Sequence, residues 1–210
     1  MATPKSQRIG IWIITIVMAI GAVGVYFVSI LANNNDTEAQ RKQQEAFATY
    51  QSQVKAQAKT LSDKHYPTFS QFASRVGGFD KAAAQEKLVS EDLLAGDGEV
   101  ITDKTKFSAY YIGWMPDGTI FDQSIENQTL KTPYAVTDGL ANAQIVAGWK
   151  QGLVGIKIGG VRELTIPSEE AYGSGGYSTT IPADTPLKFI VMAIPYVEEI
   201  PLPPELRLSQ

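Results

Sequence analysis

Few side chains in this 210-residue chain can carry covalent or proton-transfer chemistry. Cysteine is absent, which excludes a disulfide framework, a thiolate zinc site and a cysteine nucleophile. His65 is the only histidine. A histidine-rich metal centre is therefore excluded, and any Ser-His-Asp triad would hang on one residue. Basic side chains number 18 and acidic ones 22, a net charge of −4 that argues against nucleic acid as a partner. Composition thus removes most acid–base, metal and covalent mechanisms, and the sequence implies neither a metal nor a cofactor.

The elements that must position what remains fall into unlike segments. Residues 9–32 form a 24-residue stretch without a charge. A helix of that length spans ~36 Å, enough for a hydrocarbon core of ~30 Å with some tilt. The apolar region of a cleaved signal peptide is shorter, ~7–15 residues. Ile30 also stands where a small residue should precede Leu31-Ala32. The segment reads as an uncleaved transmembrane helix. Lys5 and Arg8 precede it and no acid occurs before residue 33, so the positive-inside rule places residues 1–8 in the cytoplasm and the remainder outside the membrane.

Residues 33–85 read as a helical stalk and a joint. From 36 to about 64 the chain is rich in Gln, Ala, Lys and Glu, with neither Gly nor Pro until Pro67. Phe47, Tyr50, Val54 and Leu61 take heptad positions, but Gln57 interrupts the seam. A solvated spacer is the reading favoured over a dimerisation helix. His65 reads as a packing or surface residue. The Gly77-Gly78 pair marks the joint.

Strand and turn patterns take over near Glu86. Phe107, Ala109 and Tyr111 alternate along a strand over 106–114, and the Pro116-Asp117-Gly118 turn hands over to a second strand over 119–122. Residues 144–153 have helical spacing, with Ile145, Val146, Trp149 and Leu153 on one side. Further strands are expected over 161–166 and 187–194, separated by a Gly-rich surface loop. The pattern predicts an α+β domain over 86–197, in which an antiparallel sheet of four to six strands packs on a single short helix. Residues 198–210 form a Pro-rich tail, expected to be extended or disordered.

Four segments, GWMPDGTIFDQS, IVAGWKQGLVGIKIGGVRELTIP, AYGSGG and IPADTPLKFIVMAI, occur in an order and spacing that resembles the FKBP-type peptidyl-prolyl cis-trans isomerases, of a membrane-anchored bacterial type. The resemblance covers roughly residues 86–197 and does not reach the stalk or anchor. It implies a twisted antiparallel sheet wrapped around the short helix, with an apolar pocket between them. It also implies rotamase activity on X-Pro bonds without a cofactor, with proline-containing polypeptides and macrolide inhibitors as ligands.

The resemblance further assigns roles. Trp149 is the pocket floor, Tyr172 a hydroxyl donor to the substrate carbonyl, and the Val146 backbone N–H a second donor. Asp122 is the pocket acid, held by the Tyr111 hydroxyl. Tyr111, Phe121 and Phe189 are walls, and Tyr134, Ile145, Tyr177 and Ile181 are further substrate contacts. Without the family, Trp149 and the walls would read as plain core. Tyr110 stands where many members have His, Tyr134 and Val136 where many have Phe, and Gln144 where Glu is common. The resulting expectation is a single-pass membrane protein whose external isomerase domain assists the folding of exported proteins. A proline-binding module or holdase without turnover, and an assembly factor acting through the stalk, are the alternatives.

Overall fold

The structure is a computed structural model and describes residues 37–207. The expected cytoplasmic segment 1–8 and transmembrane helix 9–32 lie outside the described residues. Among the described residues, no helix is long and apolar enough to cross a membrane.

A six-stranded antiparallel sheet organises the fold. Its strands are β1 (Val89–Leu94), β2 (Phe107–Trp114), β3 (Ile120–Gln123), β6 (Tyr134–Val136), β7 (Val161–Ile166) and β8 (Leu187–Pro195). The order is β1-β7-β8-β2-β3, and β6 shares with β3 the same edge of β2. Central β2 pairs with β8 along its whole length, from Phe107↔Pro195 to Trp114↔Lys188. Between β3 and β6 the chain makes a small hairpin, β4 (Ile125–Glu126) with β5 (Thr129–Leu130). The predicted turn leads into β3, with Gly118 at φ 85° and the Asp117 carboxylate accepting from the Thr119 N–H.

Within residues 86–197 the single short helix of the sequence reading becomes two, α3 (Gly139–Asn142) and α4 (Ala147–Gly152), and a further turn, α2 (Lys81–Ala84), lies in the joint before them. Only α4 lies in the expected stretch, and it starts later than its apolar spacing suggests, with Val146 as N-cap. Two glycines set its distance from the sheet. A Cβ on Gly148 would fall 2.4 Å from Ile166 Cγ2, and one on Gly152 would fall 2.7 Å from Leu164 Cδ2. At its C-terminal end Arg162 Nη1 donates to the carbonyls of Gly152 and Val154, at 2.8 and 3.0 Å. The same guanidinium grips Asp92 through both carboxylate oxygens. A cation there satisfies orphan carbonyls and complements the negative end of the helix.

The sheet buries both faces. Phe107, Ala109, Tyr111, Leu164, Leu187, Phe189 and Val191 face α4. Tyr110, Ile112, Trp114, Val161, Ile190, Met192 and Ile194 point the other way, into a second core closed by Phe69. Covering that face is α1 (Thr37–Phe69), followed by a 3-10 turn over Ser70–Arg75. Here the solvated-spacer expectation is corrected. The last third of α1 packs on the sheet, with Phe69 fully buried and the Ser62 hydroxyl accepting from the Leu130 N–H at 2.8 Å. The helix also runs through Pro67 to Phe69, beyond the end near residue 64 that its composition suggests. A proline in a helix costs ~3 kcal/mol or more. Burying an aromatic side chain returns ~1.5–3 kcal/mol, and Tyr66 and Phe72 join Phe69 against the same core.

Polar ties reinforce this layer. The Trp114 indole donates to the Gly77 carbonyl at 3.0 Å. Buried Glu163 receives Arg75 Nε at 2.8 Å and Lys188 Nζ at 2.7 Å. Burial would raise the Glu163 carboxyl, but these hydrogen bonds and charges outweigh it and hold it below its ordinary value. The tail is also corrected. Pro204–Leu206 forms a 3-10 turn against α1 with Leu206 buried, and Gln57 Nε2 donates to the Glu198 carbonyl at 2.9 Å.

His65 lies in this interface, 8% exposed, with its ring 6.1 Å from that of Tyr110. Desolvation, aided by neighbouring Lys64, lowers its pKa below 6.5. The unfolded chain therefore takes up the proton first, so stability is greatest above about pH 6.5 and falls as the pH drops below it. Chemical denaturation at about pH 7.5 and about pH 5.5 should show this fall. His65→Gln should flatten it, and an unchanged slope would contradict the assignment.

Candidate functional site

An aromatic pocket opens between α4 and the side of the sheet that faces it. It is lined by Tyr111 on β2, Phe121 and Asp122 on β3, Tyr134 on β6, Ile145 and Val146 before α4, Trp149 on α4, Tyr172 after β7, and Phe189 on β8. Six separate segments thus converge on one cleft.

Trp149 forms the floor and is 4% exposed. Three rings meet it edge-on: Tyr111 and Phe189 at 5.4 Å and Tyr134 at 6.4 Å between centroids, with interplanar angles of 81–85°. Phe121 meets Phe189 in the same way, at 5.4 Å and 84°. Edge-to-face contact suits the quadrupoles of the rings better than a face-to-face sandwich. The indole N–H is buried without a protein acceptor among the described residues.

Polar groups also line this box. Tyr111 Oη donates to Asp122 Oδ2 at 2.5 Å. Burial, together with the Asp122 charge, raises the Tyr111 hydroxyl well above its ordinary value. Tyr172 is raised by burial and by the neighbouring Tyr177 and Asp122, and burial raises Tyr134 too. These phenols remain protonated donors throughout the neutral range. Among the described residues, no hydrogen bond ties the Tyr172 hydroxyl to a protein acceptor. Val146, as N-cap of α4, has an N–H outside the helical ladder, and its carbonyl accepts from Trp149. No group of His, Asp or Glu among the described residues could hold a metal ion.

Nine of the eleven residues proposed from sequence line this pocket. Tyr177 and Ile181 do not, and both support it from behind. The Tyr177 ring lies 5.0 Å from that of Tyr172, and Ile181 is buried in the core below. The two also exchange backbone hydrogen bonds that close the Gly-rich loop. Tyr110, for its part, points into the second core and away from the pocket.

Two residues that position the site were missed from sequence. Gly113 lies beneath the walls: a Cβ there would fall 2.6 Å from Phe121 Cζ and 2.7 Å from Phe189 Cε1. A glycine inside a strand was the available signal, since it marks close approach of another group. Gln85 spans the segments flanking Tyr172, accepting from the Ser168 N–H at 2.8 Å and donating to the Asp184 carbonyl at 3.0 Å. No spacing rule singles it out. Gly113→Ala should displace both Phe walls, lowering stability by ~1–3 kcal/mol through overpacking. Thermal melts and near-ultraviolet circular dichroism would read the loss and the altered aromatic environment, and a wild-type spectrum and melt would refute the contact.

Residues 98–194 match the family model for the FKBP-type peptidyl-prolyl cis-trans isomerase. A protein named FK506-binding protein from Neisseria meningitidis serogroup B is 38% identical over 104 residues, covering 50% of this chain and 91% of that relative. Peptidyl-prolyl cis-trans isomerase FKBP15-1 of Arabidopsis thaliana is 37% identical over 98 residues, 47% of this chain and 57% of the relative. Among solved structures, a peptidyl-prolyl cis-trans isomerase from Pseudomonas syringae aligns at 27% identity with a TM-score of 0.45, covering 61% of this chain and 90% of that one. The match to the family model, together with 38% identity across nearly the whole of the Neisseria protein, shows that this chain belongs to the FKBP-type peptidyl-prolyl cis-trans isomerases, a family of enzymes.

Proposed function

We propose that this chain is a membrane-tethered isomerase that speeds X-Pro rotation in exported polypeptides, with residues 86–197 as its catalytic domain. The observation that carries the chemistry is the Trp149 floor ringed by Tyr111, Tyr134 and Phe189. A prolyl bond rotates over a barrier of ~20 kcal/mol in tens of seconds. Its planarity comes from amide resonance, which separates charge. An apolar box disfavours that separation, and a proline ring seated on the indole is held while the carbonyl turns. In this reading the Tyr172 hydroxyl and the Val146 N–H receive the twisted carbonyl. Asp122 holds Tyr111 in place, and no proton moves.

The tether rests on the uncharged stretch 9–32 and its Lys5/Arg8 flank, with residues 1–8 cytoplasmic. FK506-type macrolides are proposed as competing ligands, from the names of the relatives and the apolar walls.

Exchange of cis and trans X-Pro peptides followed by NMR tests the chemistry. The full chain should accelerate it, and a folded protein that binds proline peptides without accelerating any would be a binding module instead. Tyr172→Phe should lower kcat/KM by roughly five- to a hundredfold, the loss of one hydrogen bond worth ~1–3 kcal/mol. Trp149→Ala should cost ~3–5 kcal/mol of stability besides activity, whereas Trp149→Leu should keep measurable turnover. With burial holding the Tyr111, Tyr134 and Tyr172 hydroxyls above their ordinary range, kcat/KM should be level between about pH 7 and about pH 9.

Protease added to intact cells, with any outer envelope permeabilised, tests the topology. Degradation of the domain is expected, and protection that is lost only on lysis would refute an external location.

A further inference from the structure

We propose that the groove running from the pocket between α1 and the C-terminal tail holds the stretch of substrate flanking the proline, and that it favours a flank carrying positive charge. The inference rests on the isomerase reading above. The groove has a volume of about 720 Å³ and shares Tyr111 and Tyr134 with the pocket, so the two adjoin. A polypeptide whose proline sits on Trp149 must leave the pocket in both chain directions. One of its exits is this groove.

Tyr50 and Gln57 of α1 form one wall, and Val197 to Ile200 of the tail form the other. The Gln57 amide joins the walls by donating to the Glu198 carbonyl at 2.9 Å. The tail is thus spent as a wall and is not the occupant. Half-buried Tyr50 and buried Pro133 provide apolar footing for an extended chain. Charge selects among such chains. Glu126, Asp138, Glu198 and Glu199 line the groove, and all four are exposed; among the described residues Lys131 is the single opposing base. Exposed charges act over about 8 Å at physiological ionic strength, so those in one groove add their fields along a bound segment. Lysine or arginine beside the proline is the complement.

Turnover of matched peptides by the full chain tests this. The probes are a neutral X-Pro tetrapeptide and longer peptides of one length, carrying three lysines or three glutamates on either the N-terminal or the C-terminal flank. For one flank the lysine peptide should show kcat/KM about fivefold or more above its glutamate counterpart at low salt, and for the other flank less than about twofold. E198K/E199K should abolish that preference while leaving the tetrapeptide unchanged. E86K/E99K makes the same change in net charge at exposed sites outside the groove and should retain the preference.

Equal preference on both flanks, or equal loss in both double variants, would mean attraction to the whole protein and would overturn the groove. So would equal turnover of lysine and glutamate peptides beside normal turnover of the tetrapeptide. Failure to turn over the tetrapeptide instead sinks the isomerase reading, and the inference with it.

Discussion

The site depends on how closely α4 approaches strand β7. Trp149 can serve as a floor only if its helix lies nearly against the sheet, so that the indole reaches three rings from three different strands. Gly148 and Gly152, one turn apart on the buried side, permit that approach, because any side chain there would overlap Ile166 or Leu164. A helix of six residues has little stability of its own. It is held at its end by Arg162, whose guanidinium bonds two terminal carbonyls and the Asp92 carboxylate of neighbouring β1. Packing, glycine placement and one cation therefore replace helix propensity.

The opposite face obeys a different constraint. Strand β2 reads FSAYYIGW, and every one of its residues is buried. An antiparallel strand with one wet face alternates apolar and polar side chains, and β2 does not alternate: Tyr110, Ile112 and Trp114 face away from α4 and still avoid water. Strand β8 repeats the pattern with Ile190, Met192 and Ile194. A second layer is required, and α1 with the turn after it supplies it. Part of what looks like a stalk is structural for the sheet that carries the pocket.

Legibility in the sequence followed these constraints. The long two-sided strands β2, β7 and β8 were readable because runs rich in β-branched or aromatic residues lie between turn signals. Edge strand β1, VSEDLL, is mostly exposed and polar and carries little strand signal; pairing with β7 makes it a strand. The two- and three-residue strands β4, β5 and β6 are too short for any period. The docking of α1 was missed because its composition is that of a solvated helix. Only Ser62, His65 and Phe69 are buried along it, all near its C-terminal end. Yet the second apolar face of β2 was visible in the sequence, and it demanded a cover. In the pocket, aromatic residues and Asp122 were found by resemblance, whereas Gly113 could have been found physically, as a glycine inside an otherwise bulky strand.

Docking α1 on the sheet has a consequence for the pocket on the other side. The C-terminal part of α1 covers the second core, and β8, which crosses that core, continues directly into the tail. The tail is pinned twice where it leaves the sheet. The Val197 N–H donates to Ser108 Oγ at 3.0 Å, and the Glu198 carbonyl accepts the Gln57 amide of α1 at 2.9 Å. Ser108 belongs to β2, so sheet, tail and helix are joined within two successive residues. These ties hold α1 beside the groove that Tyr134 shares with the pocket. The element that completes the hydrophobic structure thereby also extends the surface beside the site. A connection of this kind fixes the pocket mouth relative to α1, so its orientation is set by packing rather than by a flexible linker.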